Sequence, residues 1–111
     1  TGRGTTLLER FEASPAGVGH MLTAYHMDVG RLVLTHFCGA GNQPRMRLRA
    51  ASDRQVAFEM YDITNLADPK AYHSTAVEVT FAGEDRVEVT YRGVQAGREI
   101  TQVFQLSRRA R

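Results

Sequence analysis

The sequence predicts an all-β protein, an antiparallel up-and-down meander of about eight strands that curls toward a barrel. Three observations carry this. Apolar and polar residues alternate with period two over most of the chain, as they do on a half-buried strand. Clusters of Gly, Asp, Ser and Pro interrupt the alternation at short intervals. No long helical segment separates successive runs, so neighbours in sequence are expected to be neighbours in the sheet.

The first strand is expected over Thr5–Ala13, TTLLERFEA, where the alternation is loose, and Ser14–Gly19 reads as a loop. His20–Asp28 and Arg31–Cys38 form a hairpin that turns at Val29-Gly30 or at Asp28-Val29-Gly30. In Arg45–Ala51, Met46, Leu48 and Ala50 alternate with Arg45, Arg47 and Arg49. Ser52-Asp53-Arg54 turns the chain into Gln55–Asp62, with Val56, Phe58 and Met60 on one side. Ile63–Lys70 breaks the pattern, and a single helical turn capped by Thr64 or Asn65 and stopped by Pro69 is expected there. Alternation resumes over Tyr72–Phe81, placing His73 and Thr75 in line with Val77. After the Ala82–Asp85 loop, Arg86–Arg92 presents Val87, Val89 and Tyr91 together. Gly93–Gly97 turns the chain into a final strand over Arg98–Leu106.

A chain of 111 residues is expected to form a single domain, residues 1–111, with one modest core. Charged residues are 23% of the total and the net charge is only +2, too even a balance for a nucleic-acid surface. The single Cys38 cannot close an internal disulfide, so the fold requires no oxidising compartment. No apolar run is long enough for a membrane span, and no charged-then-apolar leader opens the chain, which slightly favours the cytoplasm. No pattern calls for a cofactor.

The residues able to do chemistry gather between His20 and Arg45. Hairpin register decides their use. A two-residue loop sets Thr23 opposite His36 and sends His26 to the other face, whereas a three-residue loop puts His26, His36 and Cys38 on one face as a polar centre or borderline-soft metal site. Against a metal stands the absence of clustered ligand spacing, and against nucleophilic catalysis by Cys38 the absence of a third orienting group. No metal and no catalytic residue is therefore assigned. The loop Gly39–Arg45 offers close backbone approach, the amides of Asn42 and Gln43, and the fork of Arg45. It reads either as a pocket mouth or as a loop satisfying its own backbone. Arg45, Arg47 and Arg49 read as a solvated ladder opposite Glu59 and Tyr61, or as a positive pocket wall.

The string Tyr25-His26, a hairpin turn, Leu32, Leu34-Thr35-His36-Phe37-Cys38, then Gly41-Asn42-Gln43-Pro44-Arg45-Met46, resembles a group of mostly uncharacterised bacterial calycin-like, or lipocalin-like, proteins. FEMYDITNLADP and HSTAVEVTF are similar too, so the resemblance covers most of the chain. It implies a β-barrel with an interior pocket and no known activity. Proteins of that group carry an upstream Trp-containing strand and a second strand before the equivalent of TGRGTTLLE, and this chain has no Trp. The barrel is accordingly expected to be open, or completed as a homo-oligomer through exposed edge strands near Thr5–Ala13.

These readings favour a non-catalytic protein that holds a small hydrophobic or amphipathic ligand. Residues such as Met21, Leu34, Phe58, Met60, Val77, Val89 and Phe104 would line its pocket. Tyr25, His36, Asn42, Gln43 and Arg45 are the candidate ligand-binding residues. An enzyme using a barrel His or Tyr as general acid or base, and a structural module with a filled core, are the alternatives.

Overall fold

The computed structural model describes residues 1–11 and 20–109. It contains eight strands: β1 (Thr6–Phe11), β2 (Met21–Asp28), β3 (Arg31–Phe37), β4 (Gln43–Ala51), β5 (Gln55–Thr64), β6 (His73–Phe81), β7 (Arg86–Gln95) and β8 (Arg98–Ser107). Each pairs antiparallel with the next in a single sheet, and no helix occurs among the described residues. The expected up-and-down meander is therefore what forms. β1 and β8 are the two edges of the sheet and do not pair with each other, so the backbone is an open half-barrel.

Alternation fills the concave face. Leu34, Met46, Phe58, Val77, Val89 and Tyr91, from β3 through β7, pack there as one buried cluster. Burial of each such side chain stabilises the fold by about 2 kcal/mol. Three irregularities bend the sheet around this cluster, at Arg45/Met46 and Leu48/Ala50 in the β4–β5 pair and at Ser74/Ala76 in the β6–β7 pair. An extra residue on one strand kinks it and increases its twist, which is how a flat meander acquires barrel curvature.

Those bulges also correct the alternation read from sequence. Leu48 pairs with Phe58 but Ala50 pairs with Ala57, so Arg49 is the extra residue and Ala50 leaves the row of Met46 and Leu48. In β6, Ser74 pairs with Gly93 and Ala76 with Arg92, so Thr75 is extra. His73 is consequently out of line with Val77. The expected helical turn at 63–70 does not form. β5 continues to Thr64, Asn65 takes a left-handed conformation (φ 59°), and its side-chain amide donates to the Gly41 carbonyl at 2.7 Å. Gly93 does not start a turn either, since β7 runs to Gln95. A side chain at Gly93 would meet the His73 carbonyl oxygen at 2.7 Å and the Tyr72 ring at 2.8 Å, so glycine is there for close packing. The first strand lies within its expected range, whereas the expected Ser14–Gly19 loop falls outside the described residues.

The β2–β3 hairpin takes the two-residue turn. Thr23 pairs with His36, Tyr25 with Leu34 and His26 with Val33, so His26 and His36 face opposite sides. This register needs positive φ at both turn residues, and Val29 and Gly30 have φ of 45° and 87°. Glycine accepts that geometry, but a β-branched valine does not. The penalty is about 1 kcal/mol, less than the cost of a one-residue slip that would turn Tyr25, Leu34 and His36 outward together. Val29 is 99% exposed and gains no packing in return. Val29→Asn, which tolerates the left-handed region, should therefore raise stability by about 1 kcal/mol in chemical denaturation. A loss of stability would show that the turn does not carry this strain.

Candidate functional site

The concave face carries one polar chain across its apolar surface. It starts on β1, where Glu9 pairs opposite Thr23. Tyr91 of β7 donates its hydroxyl to Glu9 Oε1, and Tyr25 of β2 donates to Oε2 at 3.2 Å. Thr23 Oγ1 lies 2.9 Å from the Tyr91 hydroxyl and 2.8 Å from His36 Nδ1. Thr23, His36 and Tyr91 are wholly buried. Buried polar groups need partners, and this chain supplies them from β1, β2, β3 and β7.

The chain has a direction. With Glu9 ionised, Tyr91 donates to the carboxylate and must accept from Thr23, which in turn accepts from His36 Nδ1–H. The His36 proton then sits on Nδ1, and Nε2, which is buried without a partner, is an acceptor. With Glu9 protonated, the hydroxyls can all point the other way, and the proton moves to Nε2. The tautomer of His36 is thereby linked to the direction of the hydroxyl chain, which can reverse when Glu9 is protonated.

Electrostatics keep most of these groups neutral. Burial lowers the His36 pKa from 6.5 to about 4, so the imidazole is uncharged at neutral pH. Burial also pushes Tyr25 and Tyr91 far above the ordinary phenol range, and the nearby Glu9 adds to the effect. Glu9 itself is raised by desolvation, against the opposing pull of hydrogen bonds from Tyr91 and Tyr25. All three rings are therefore uncharged at neutral pH, and neither phenol is activated as a phenolate. Cys38 is no better placed as a nucleophile. Burial raises its thiol pKa, and its sulfur accepts the Ala40 N–H at 3.5 Å.

Aromatic rings close the seam that the backbone leaves open. Phe11 of β1 stacks on Phe104 of β8 with centroids 4.4 Å apart and meets Tyr91 edge-on at 6.0 Å. Tyr91 in turn meets Phe104 edge-on at 5.9 Å. Above this plug, toward the β2–β3 turn, opens a cleft of about 780 Å³. Leu7, Leu32, Val56, Phe58, Val89 and Leu106 are among its apolar walls, and Glu9 and Tyr25 bring polar groups to it. Arg10 and His26 also border it, but they belong to the outward rows of β1 and β2.

Of the residues singled out from sequence, Tyr25 borders the cleft and His36 ends the polar chain. The other three lie at the opposite end of the strands, around the β3–β4 connection. Asn42 is buried and donates to the Tyr72 carbonyl at 2.9 Å. Gln43 donates to the Gly41 carbonyl at 3.1 Å and accepts from Thr64 at 2.7 Å. Arg45 is on the convex face, where its fork grips Asp62, with Nε 2.6 Å from Oδ1. The guanidinium also lies 5.6 Å from the Tyr61 ring centroid. Asn42 thus ties the β3–β4 connection to the backbone just before β6, Gln43 ties it to the end of β5, and Arg45 and Arg47 form ion pairs with Asp62 and Glu59 across the β4–β5 pair. The expected pocket walls Met21, Leu34, Phe58, Met60, Val77, Val89 and Phe104 cluster on the concave side, but only Phe58 and Val89 border the cleft. Leu34 and Val77 belong to the filled core, with Met60 and Phe104 packed against it. His26, on the outer side, contacts the Met27 carbonyl at 3.1 Å, and His73 contacts that of Ala71 at 2.9 Å.

Glu9, Thr23 and Tyr91 were not among the residues singled out. Among the described residues, no group of three or more His, Cys, Asp or Glu side chains is arranged to hold a metal ion, and no helix is long and apolar enough to cross a membrane. No family model, curated protein or solved structure matches this chain.

His36 gives the site a pH signature. Because its folded pKa is depressed, the folded protein binds fewer protons than the unfolded chain between about pH 6.5 and about pH 4. Stability is then present above that window and lost as pH falls through it, by up to about 3 kcal/mol. Glu9, with its raised pKa, acts in the opposite sense, losing stability as pH rises, so a comparison is needed. In urea denaturation at pH 7, 5.5 and 4, wild type should lose about 3 kcal/mol more than His36→Gln. Equal acid-side losses would show that His36 titrates normally.

Proposed function

We propose that this protein is a non-catalytic binder of small hydrophobic or amphipathic molecules, a half-barrel of the calycin-like kind whose ligand lies in the concave cleft. The observation that carries the reading is the cleft itself. Its volume, about 780 Å³, falls within the range of ordinary small-molecule sites. Its walls come from seven of the eight strands, all but β4. Apolar walls with a small number of convergent polar groups are what such a site needs, the walls supplying affinity and the polar groups orientation.

Two further points support the reading. The middle of the concave face is filled by its own side chains, Leu34, Met46 and Val77 among them, and the cleft lies beyond them toward the β2–β3 turn. The resemblance of the Tyr25–Met46 string to calycin-like proteins agrees with a pocket in this position. A wholly filled module would leave no such volume.

The test is a fluorescence titration with N-phenyl-1-naphthylamine, a neutral apolar dye. Wild type should bind it with a Kd of order micromolar, and Leu32→Trp, which adds bulk to the cleft wall, should weaken binding about tenfold. The variant's melting temperature reports whether the fold survives. Absence of dye binding by the wild type, or equal binding by a folded Leu32→Trp, would overturn the proposal.

A further inference from the structure

The cleft has an unusual charge pattern for an apolar site. Among the described residues Glu9 is the one acidic residue bordering it, and its carboxyl stands on the inward row between Leu7 and Phe11. Among the described residues no Lys, Arg or His pairs with it. Its polar partners are the hydroxyls of Tyr91 and Tyr25, one on each carboxylate oxygen. The two basic residues along the cleft, Arg10 and His26, sit on outward rows.

A carboxylate has about four acceptor positions. Two phenols occupy one on each oxygen, leaving about two open. A half-buried carboxylate without a cation is costly, and the cost is relieved by an opposite charge brought to it. The surroundings suit a cation as well, since Tyr25, whose hydroxyl holds the carboxylate, also borders the cleft and brings an aromatic ring beside the charge. An anionic headgroup would meet repulsion from Glu9 at this depth.

Resting on the binding role above, we infer that the cleft selects amphipathic amines, with the ammonium group donating to Glu9 and the alkyl or aryl body lying against Leu32, Val56, Phe58 and Val89. Tyr25 and Tyr91 hold the carboxylate in place from two strands. The ligand thereby completes the polar chain that begins at His36.

Competition against bound N-phenyl-1-naphthylamine separates the two levels of the account. Decylamine, decanol and decanoate present the same chain with a cationic, a neutral and an anionic head. Decylamine should displace the dye at a concentration about tenfold lower than decanol does, with decanoate the weakest. Glu9→Gln keeps a hydrogen-bonding side chain and should bring decylamine to the level of decanol, both competitors being compared on the variant against its own dye Kd. Dye binding with equal displacement by amine and alcohol, with decanoate the best competitor, or with an amine preference that survives in Glu9→Gln would overturn this inference and leave the binding role standing. Failure of the dye itself to bind would remove both.

Discussion

The hydrogen bond from Tyr91 to Glu9 joins residues 82 positions apart, and it sits where an open sheet becomes a container. Backbone pairing stops at β1 on one side and β8 on the other, so no ladder closes the half-barrel. Closure depends on side chains. A charge-assisted bond to a carboxylate, made away from bulk water, is among the stronger single contacts available to a small fold. It draws the concave face of β1 onto β7, and the Phe11–Phe104 stack extends that contact to β8. Without this pair, β1 would be held by its ladder with β2 and by ring packing alone.

The same contact divides the concave face. On one side of it, side chains from β3 to β7 pack as the buried core, with Leu34, Met46 and Val77 almost inaccessible. On the other side, β1 stands off and the cleft opens. The polar chain lies at the boundary, and its buried end, His36, is kept neutral by the same desolvation that raises Glu9. A site of this design offers orientation and charge more than reactivity. That balance underlies both the binding role and the headgroup preference proposed above.

Much of the fold was legible because it is local. Period-two alternation located all eight strands, and the breaker clusters at 52–54 and 82–85 located two of the turns between them. What local pattern could not give was the consequence of an extra residue. Arg49 and Thr75 each shift the alternation by one, and no residue type at those positions announces it. The site was less legible for a different reason. His36 and Tyr25, singled out from sequence as ligand contacts, lie in the polar chain, but Glu9 and Tyr91 matter only through each other, and their contact is not local. The available signal was a carboxylate on the apolar row Leu7–Glu9–Phe11 and a tyrosine ending the row Val87–Val89–Tyr91. The Asn42–Arg45 stretch drew attention by its composition, yet it lies at the end of the strands away from the cleft and bonds the Tyr72 and Gly41 carbonyls and Asp62. Composition showed that the loop was polar, and only topology could show which end of the strands opens.

The account stands most directly on the coupling between Glu9 and Tyr91. A double-mutant cycle with Glu9→Met, Tyr91→Phe and the double variant, read by urea denaturation at pH 7, measures it. A closing contact of the kind described predicts a coupling energy of about 1.5 kcal/mol or more. Additivity within about 0.5 kcal/mol would mean that the two residues act independently. The seam would then be held by ring packing alone, contradicting the central role given to this hydrogen bond.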